Sequence, residues 1–278
     1  MSEVTAHHGL FKDTNLHVDD TGGSGRPVVL IHGWPLSGEA FSGQVPALSA
    51  AGYRVITYDR RGFGRSDKPL TGYKYDTLAE DLHTLLVELD LQDVTLVGFS
   101  MGGGEVARYA ALYGSERLHS VVFASAVPPY LLQTDANPEG PLTKEAAAGM
   151  TAALTKDEDS FYDQFVTDFF TANGELKVTQ AQRQEALALT KQADKKAALA
   201  CMAAFGTTDF REDLPKVTVP ALILHGDADA TVAFAGSGAR THAAIPGSEL
   251  HVIAGGPHGC NVSHEQEWND ALLDFLAK

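Results

Sequence analysis

Gly98-Phe99-Ser100-Met101-Gly102 is the segment whose residue types and spacing point most directly to chemistry. It follows the apolar run Val94–Val97 and precedes a stretch of helical periodicity, so it reads as a sharp strand-to-helix turn. Such a turn strains the backbone of its central residue and leaves room only for very small residues two before and two after it. Gly98 and Gly102 meet that demand, and Gly103 and Gly104 extend the small surface. Ser100 is then expected to project its hydroxyl above a sheet, at the N-terminus of a helix. A serine hydroxyl is a poor nucleophile until a base takes its proton. The base should be a histidine, with an acid to hold its tautomer.

In this context the chain order serine, acid, histidine is expected. The late histidines are His242, His251, His258 and His264. His242 lies in a helix-like segment, His251 inside an apolar run, and His264 at the start of the final helix. His258 follows Gly255-Gly256-Pro257 and precedes Gly259, on an open loop just after a predicted strand. His258 is therefore the expected base. The acid should follow the run Ala221–His225, where Asp227 and Asp229 compete. Asp227 fits the amides of a turn; Asp229, further into the loop, is the expected acid. The oxyanion formed at the acyl carbon needs two donors. The backbone N–H of Met101 is one, and the loop His32-Gly33-Trp34-Pro35 supplies the other. Trp34 has an N–H and Pro35 has none, which selects Trp34. Its indole either lines the acyl pocket or plugs the core.

The elements that must hold these residues follow from a rhythm of apolar runs. His8–Phe11 and Leu16–Asp19, joined by Lys12-Asp13-Thr14-Asn15, read as a β-hairpin. Pro27–Ile31, Tyr53–Tyr58, Val94–Phe99, Ser120–Ser125, Ala221–His225 and Leu250–Ile253 read as buried strands. Asp76–Leu89, Met101–Tyr113 and Glu265–Leu276 read as helices, the first with Leu78, Leu82, Leu85, Leu86 and Leu89 on one face. Strands alternating with helices predict an α/β fold, a mostly parallel eight-stranded sheet with helices on both faces. The rhythm breaks at Pro128-Pro129 and resumes after Asp213. Between them the helix formers Thr143–Leu154, Asp159–Phe170 and Thr179–Ala204, with no strand-like run, predict a helical cap over one end of the sheet; the alternative is that they pack on its flank. The expected division is a core of 1–127 and 214–278 and a cap of 128–213.

Composition narrows the partners. The chain has 278 residues, 21 Lys and Arg against 36 Asp and Glu, and a formal charge of −15. That balance argues against nucleic acid or an anionic membrane as the main partner. Two cysteines, Cys201 and Cys260, exclude a disulfide scaffold and a Cys-rich zinc site. No run approaches the length of a membrane span, and Met1–Phe11 lacks the pattern of a secretory leader, so a cytoplasmic location is expected. Self-association into a homo-oligomer is left open.

Taken together, the residues resemble the α/β-hydrolase fold over nearly the whole chain. Three segments narrow the likeness: His32-Gly33-Trp34-Pro35-Leu36-Ser37-Gly38, Tyr58-Asp59-Arg60-Arg61-Gly62-Phe63-Gly64-Arg65-Ser66, and the stretch from Gly98 to Tyr109. They look like the cofactor-free bacterial haloperoxidases, or perhydrolases, and the related aryl esterases; Ala204-Phe205-Gly206-Thr207-Thr208-Asp209-Phe210 fits the same group. The resemblance implies a serine esterase that can also use hydrogen peroxide. Ser100 would form an acyl-enzyme from a small carboxylic acid or ester. Water then gives hydrolysis, and peroxide gives a peracid that oxidises halide to hypohalous acid. No haem or metal is implied as cofactor. Pro35 biases Trp34 towards extended backbone, which would let the Trp34 carbonyl accept a hydrogen bond from the peroxide hydroxyl; the alternative is that Pro35 serves only as a turn former. Related dehalogenases and epoxide hydrolases carry Asp as nucleophile, and Ser100 stands in that place here. Asp59, Arg60 and Arg61 are expected to form a structural network near the sheet edge. The pocket walls are expected from Trp34, Pro35, Phe161 and Phe165, with Phe123, Val127, Leu131, Phe169, Met202 and Phe205 as further candidates. The same triad would serve a γ-lactamase, and a slow-turnover hydrolase-fold receptor is the reading from a different class.

Overall fold

The computed structural model describes residues 2–6 and 13–278. Ten strands and ten helices follow one another along the described chain. The strands are β1 (Ser2–Ala6), β2 (Thr14–Asp20), β3 (Pro27–Ile31), β4 (Arg54–Tyr58), β5 (Val94–Phe99), β6 (Leu118–Ala124), β7 (Thr171–Ala172), β8 (Glu175–Leu176), β9 (Ala221–Gly226) and β10 (Glu249–Ile253). The helices are α1 (Gln44–Ala50), α2 (Tyr75–Glu88), α3 (Met101–Tyr113), α4 (Lys144–Lys156), α5 (Glu158–Phe169), α6 (Gln180–Thr190), α7 (Lys195–Thr207), α8 (Gly238–Ala244), α9 (Cys260–Ser263) and α10 (Glu265–Leu276).

Eight strands form one sheet in the order β1-β2-β4-β3-β5-β6-β9-β10. Antiparallel pairing is confined to β1–β2 and β2–β4; the other five pairs are parallel. The arm His8–Phe11 of the predicted hairpin lies outside the described residues, and the strand paired with β2 is Ser2–Ala6. The central strand β5 is buried along its whole length, which explains why its sequence runs apolar without alternation. Helices α2 and α3 pack together against the sheet, as do α1 and α10. Helix α1 escaped the sequence reading because it is short and carries Pro46 near its start.

Between β6 and β9 the chain makes α4 to α7. Two features there differ from expectation. The stretch 179–204 is two helices, because Asp194 caps a new start by accepting the Ala197 N–H at 2.9 Å. A small hairpin, β7 with β8, also interrupts the helices. Its turn is Asn173-Gly174, both at positive φ (53° and 79°), the residue pair a two-residue hairpin loop requires.

Asp59, Arg60 and Arg61 stand just beyond the C-terminal end of β4, an inner strand between β2 and β3, and so are not beside an outer strand of the sheet. Asp59 accepts the backbone N–H groups of Gly38 and Arg65, each at 2.8 Å. Arg60 is buried and pairs with Glu105 of α3, donating through Nε at 2.5 Å. Tyr58 Oη donates to the other oxygen of Glu105 at 2.7 Å. Arg61 pairs with Asp81 of α2. Burial pushes the Glu105 carboxyl up while Arg60 pulls it down, and the net direction is up.

Cys201 in α7 and Cys260 in α9 are free thiols and fully buried. Burial pushes each up to about 12. The unfolded chain therefore releases two protons that the folded chain holds. Stability is unaffected below the unfolded thiol range and falls as pH rises from about 9 towards 12, by about 1.4 kcal/mol per pH unit for each thiol. Urea denaturation midpoints on either side of that threshold check this. Cys201→Ala and Cys260→Ala should each flatten the alkaline decline, and an unchanged slope in both would refute the assignment.

Candidate active site

Ser100 occupies the bend between β5 and α3 with φ 54° and ψ −117°, a conformation that costs a non-glycine residue about 1–3 kcal/mol. The glycines two residues away make the bend feasible. A Cβ at Gly98 would lie 2.5 Å from the Gly102 carbonyl oxygen, and one at Gly102 would lie 2.4 Å from that of Ile31. The bend is tied down on both sides, with Ser100 N–H donating to the Ala124 carbonyl at 2.8 Å and the Ser100 carbonyl accepting from Val127 at 3.2 Å.

His258, on the loop after β10, lies with Nε2 2.9 Å from Ser100 Oγ and Nδ1 2.7 Å from Asp229 Oδ2. The carboxylate accepts on Nδ1, so Nδ1 carries the proton and Nε2 is free to receive the serine proton. Asp229 follows β9 and is buried. Its other oxygen, Oδ1, accepts the N–H groups of Thr231 and Val232 at 2.9 and 2.7 Å. Burial opposes its charge, but His258 and His225, by charge and hydrogen bond, outweigh that and hold the carboxyl well below the usual carboxylate range. It therefore stays ionised at neutral pH. Asp227 is exposed and accepts the Gly255 N–H at 2.6 Å, a turn role. His242, His251 and His264 bond to Ser248, Glu267 and Ser263 respectively, away from the serine.

His225 is a member of this cluster that the sequence did not disclose. It is fully buried at the end of β9, with Nε2 3.2 Å from Asp229 Oδ2 and 2.8 Å from the Val232 carbonyl. Both neighbours are acceptors, so Nε2 carries the proton and His225 adds a further donor to Asp229. The only signal in the sequence was a histidine closing an otherwise apolar strand, four residues before the acid.

The loop after β3 abuts the serine; a Cβ at Gly33 would come 3.1 Å from Ser100 Cβ. Its conformation is held from below. Arg60 donates to the His32 carbonyl at 2.6 Å, and His32 Nε2 accepts the Arg60 N–H at 2.9 Å. His32 Nδ1 then donates to the Gly33 carbonyl at 2.8 Å. Burial and the adjacent Arg60 charge push the His32 imidazole well down, so it is neutral. The Glu105–Arg60–His32 chain thus links the serine's own helix to the loop bearing Trp34. The Trp34–Pro35 peptide is cis.

A cavity of about 90 Å³ opens on Ser100 and His258. Its walls include Trp34, Val127, Leu131, Leu142, Met150, Phe165 and Phe205, with Thr231 and Val232 beside the acid loop. Of the expected wall residues, Pro35 and Phe161 are absent from this lining, as are Phe123, Phe169 and Met202. Phe161 stacks behind Phe165 and meets Trp34 edge-on, a second layer. Phe123 belongs to β6 beneath the site. Phe169, at the end of α5, packs edge-on against the His258 ring at 5.0 Å, and its carbonyl accepts the Gly259 N–H at 2.9 Å. The Trp34 indole lines the cavity, and its N–H also donates to the Ala198 carbonyl of α7 at 3.0 Å, a contact that the sequence did not indicate. A wider groove of about 1000 Å³ elsewhere on the surface touches none of Ser100, Asp229 or His258. Among the described residues no group of three or more His, Cys, Asp or Glu is arranged to hold a metal ion, and no helix is long and apolar enough to cross a membrane.

Known proteins share this arrangement of chain. Residues 26–264 match the family model described as alpha/beta hydrolase fold. The chain is 42% identical to a non-heme chloroperoxidase of Kitasatospora aureofaciens, over 92% of this chain and 94% of that one. It is 34% identical to a bifunctional esterase/perhydrolase of Acinetobacter calcoaceticus, over 99% of both chains. Among solved structures it superposes on a bromoperoxidase from Bacillus anthracis with a TM-score of 0.95 at 50% identity, covering 100% of this chain and 99% of that one. The chain belongs to the α/β-hydrolase fold family and, inside it, to the non-heme haloperoxidase and esterase–perhydrolase group of enzymes.

Proposed function

We propose that the protein hydrolyses small carboxylic esters through an acyl-enzyme on Ser100 and, when hydrogen peroxide replaces water, releases peracid. The observation that carries this reading is the unbroken relay from Ser100 through His258 to Asp229, opening on a small apolar cavity. Ser100 Oγ attacks the acyl carbon as His258 Nε2 takes its proton. The oxyanion is held by the backbone N–H groups of Trp34 and Met101. His258 returns the proton to the leaving alkoxide, or to hydroxide when the substrate is the free acid. Peroxide then loses a proton to His258 and attacks the acyl carbon, and the peracid departs as Ser100 regains its hydrogen. The free peracid oxidises halide in solution. Asp229 keeps the imidazolium paired throughout and takes no proton. Residues 128–213 act as the cap that walls the acyl pocket.

The test is a paired assay of chromogenic ester hydrolysis and of bromination driven by acetate and peroxide. Steady turnover in both supports the proposal. A single slow equivalent of ester product would favour a ligand receptor instead.

Trp34 also sets the branch between water and peroxide, its carbonyl accepting a hydrogen bond from the peroxide hydroxyl. Pro35→Leu removes the ring that locks the backbone φ immediately after the Trp34 carbonyl. The ratio of perhydrolysis to hydrolysis should then fall several-fold, with ester turnover retained. An unchanged ratio removes this role for the carbonyl.

A further inference from the structure

The site holds one side chain that its own product can damage. We propose that Met150 is the first residue this enzyme oxidises during turnover, the peracid formed at Ser100 passing its terminal oxygen to the Met150 thioether. This rests on the perhydrolase reading above. In the step the peracid O–O bond breaks and an S–O bond forms. Sulfur gives up two electrons, the peracid is reduced to the carboxylic acid, and its hydroxyl proton ends on that acid. The product is methionine sulfoxide, polar where the thioether was apolar.

Placement selects Met150. It sits on α4, half-buried, and lines the same cavity as Ser100 and His258. Of the other readily oxidised side chains among the described residues, Trp34 alone shares that lining. Met101 is fully buried beneath the bend. Met202 is buried outside the cavity lining, and its sulfur accepts a long hydrogen bond from Thr151 at 3.9 Å. Cys201 and Cys260 are fully buried outside that lining and, with their ionisation pushed up, remain thiols. Trp268 is buried in the core. Trp34 shares the cavity, but its indole N–H is engaged by Ala198, and a thioether is the softer, more polarisable acceptor of oxygen. A sulfoxide at 150 would face Leu142, Phe165 and Phe205. Acyl substrates should then bind more weakly, so the rate should decay with the number of turnovers completed rather than with time in peroxide.

The experiment follows peracid release and peptide oxidation in the same samples, with acetate plus peroxide, peroxide alone, and externally added peracid. Trypsin separates Met150, in the peptide from Glu145 to Lys156, from Met101 and Met202. The expected result is one oxygen gained by the Met150 peptide in step with turnover, ahead of the other two. That gain should be lost with peroxide alone and in Ser100→Ala. Met150→Leu should slow the loss of rate per turnover several-fold. Peracid release with an unmodified Met150 overturns this proposal and leaves the proposed function standing, as does a methionine pattern identical to that from added peracid. Absence of peracid release overturns the function and, with it, this step.

Discussion

Ser100→Ala is expected to abolish ester hydrolysis and peracid formation together, each by roughly a factor of 10⁶ in kcat, the scale found when an acyl-transfer triad loses its nucleophile. The two reactions share the acyl-enzyme, so they share its dependence on Oγ. On the proposed mechanism His258 can still activate water and the Trp34 and Met101 N–H groups remain, so a residual rate above the uncatalysed one should persist. The substitution removes only a hydroxyl, and alanine meets the same backbone strain as serine at φ 54°. Folding should therefore be intact, which a thermal melt of the variant checks. Peracid formation surviving in Ser100→Ala while ester hydrolysis vanishes would mean that peroxide reacts by a route without the acyl-enzyme.

The second large effect is on stability. Glu105→Leu should destabilise the protein by about 3–5 kcal/mol, because it leaves the Arg60 guanidinium buried without its counter-charge. Tyr58 loses its acceptor in the same change. Glu105→Gln keeps the shape and one acceptor, and should cost less. Urea titration of the three proteins gives the order directly, and a midpoint for Glu105→Leu equal to wild type would refute it. The ester rate should fall in both variants, since Arg60 also holds the His32 carbonyl and thereby the loop of Trp34.

Much of this architecture was legible in the chain because buried parallel strands leave an unmistakable trace. Val94–Phe99 has no polar alternation since both its faces are covered, and the helix after it begins at the next small-residue turn. That Ser100, Asp229 and His258 would come within hydrogen-bond reach could be anticipated for a related reason, as each stands just beyond a predicted strand. Distances could not. Phe161 and Phe165 are four apart on α5 and equivalent by periodicity; only the packing of that helix on Trp34 decides that Phe165 faces the cavity. Glu105 and Arg60 are 45 residues apart, and nothing local marks them as partners. His225 was hidden by its own strand, where a single imidazole among leucines looks like filler. The break before Asp194 and the turn at Asn173-Gly174 were readable in principle, but helix-forming neighbours masked both.

The contact between Phe169 and His258 has a mechanical corollary. The tip of α5 and the His258 loop are clamped by one hydrogen bond, from the Gly259 N–H to the Phe169 carbonyl, and by one aromatic edge on the imidazole, and a Cβ at Gly259 would sit 2.4 Å from the rings of both Phe169 and Phe170. Lifting α5 as a rigid lever would break that clamp and unseat His258 at the very moment a substrate arrived. Traffic into the site is better served by the rim at Thr231, which already faces solvent.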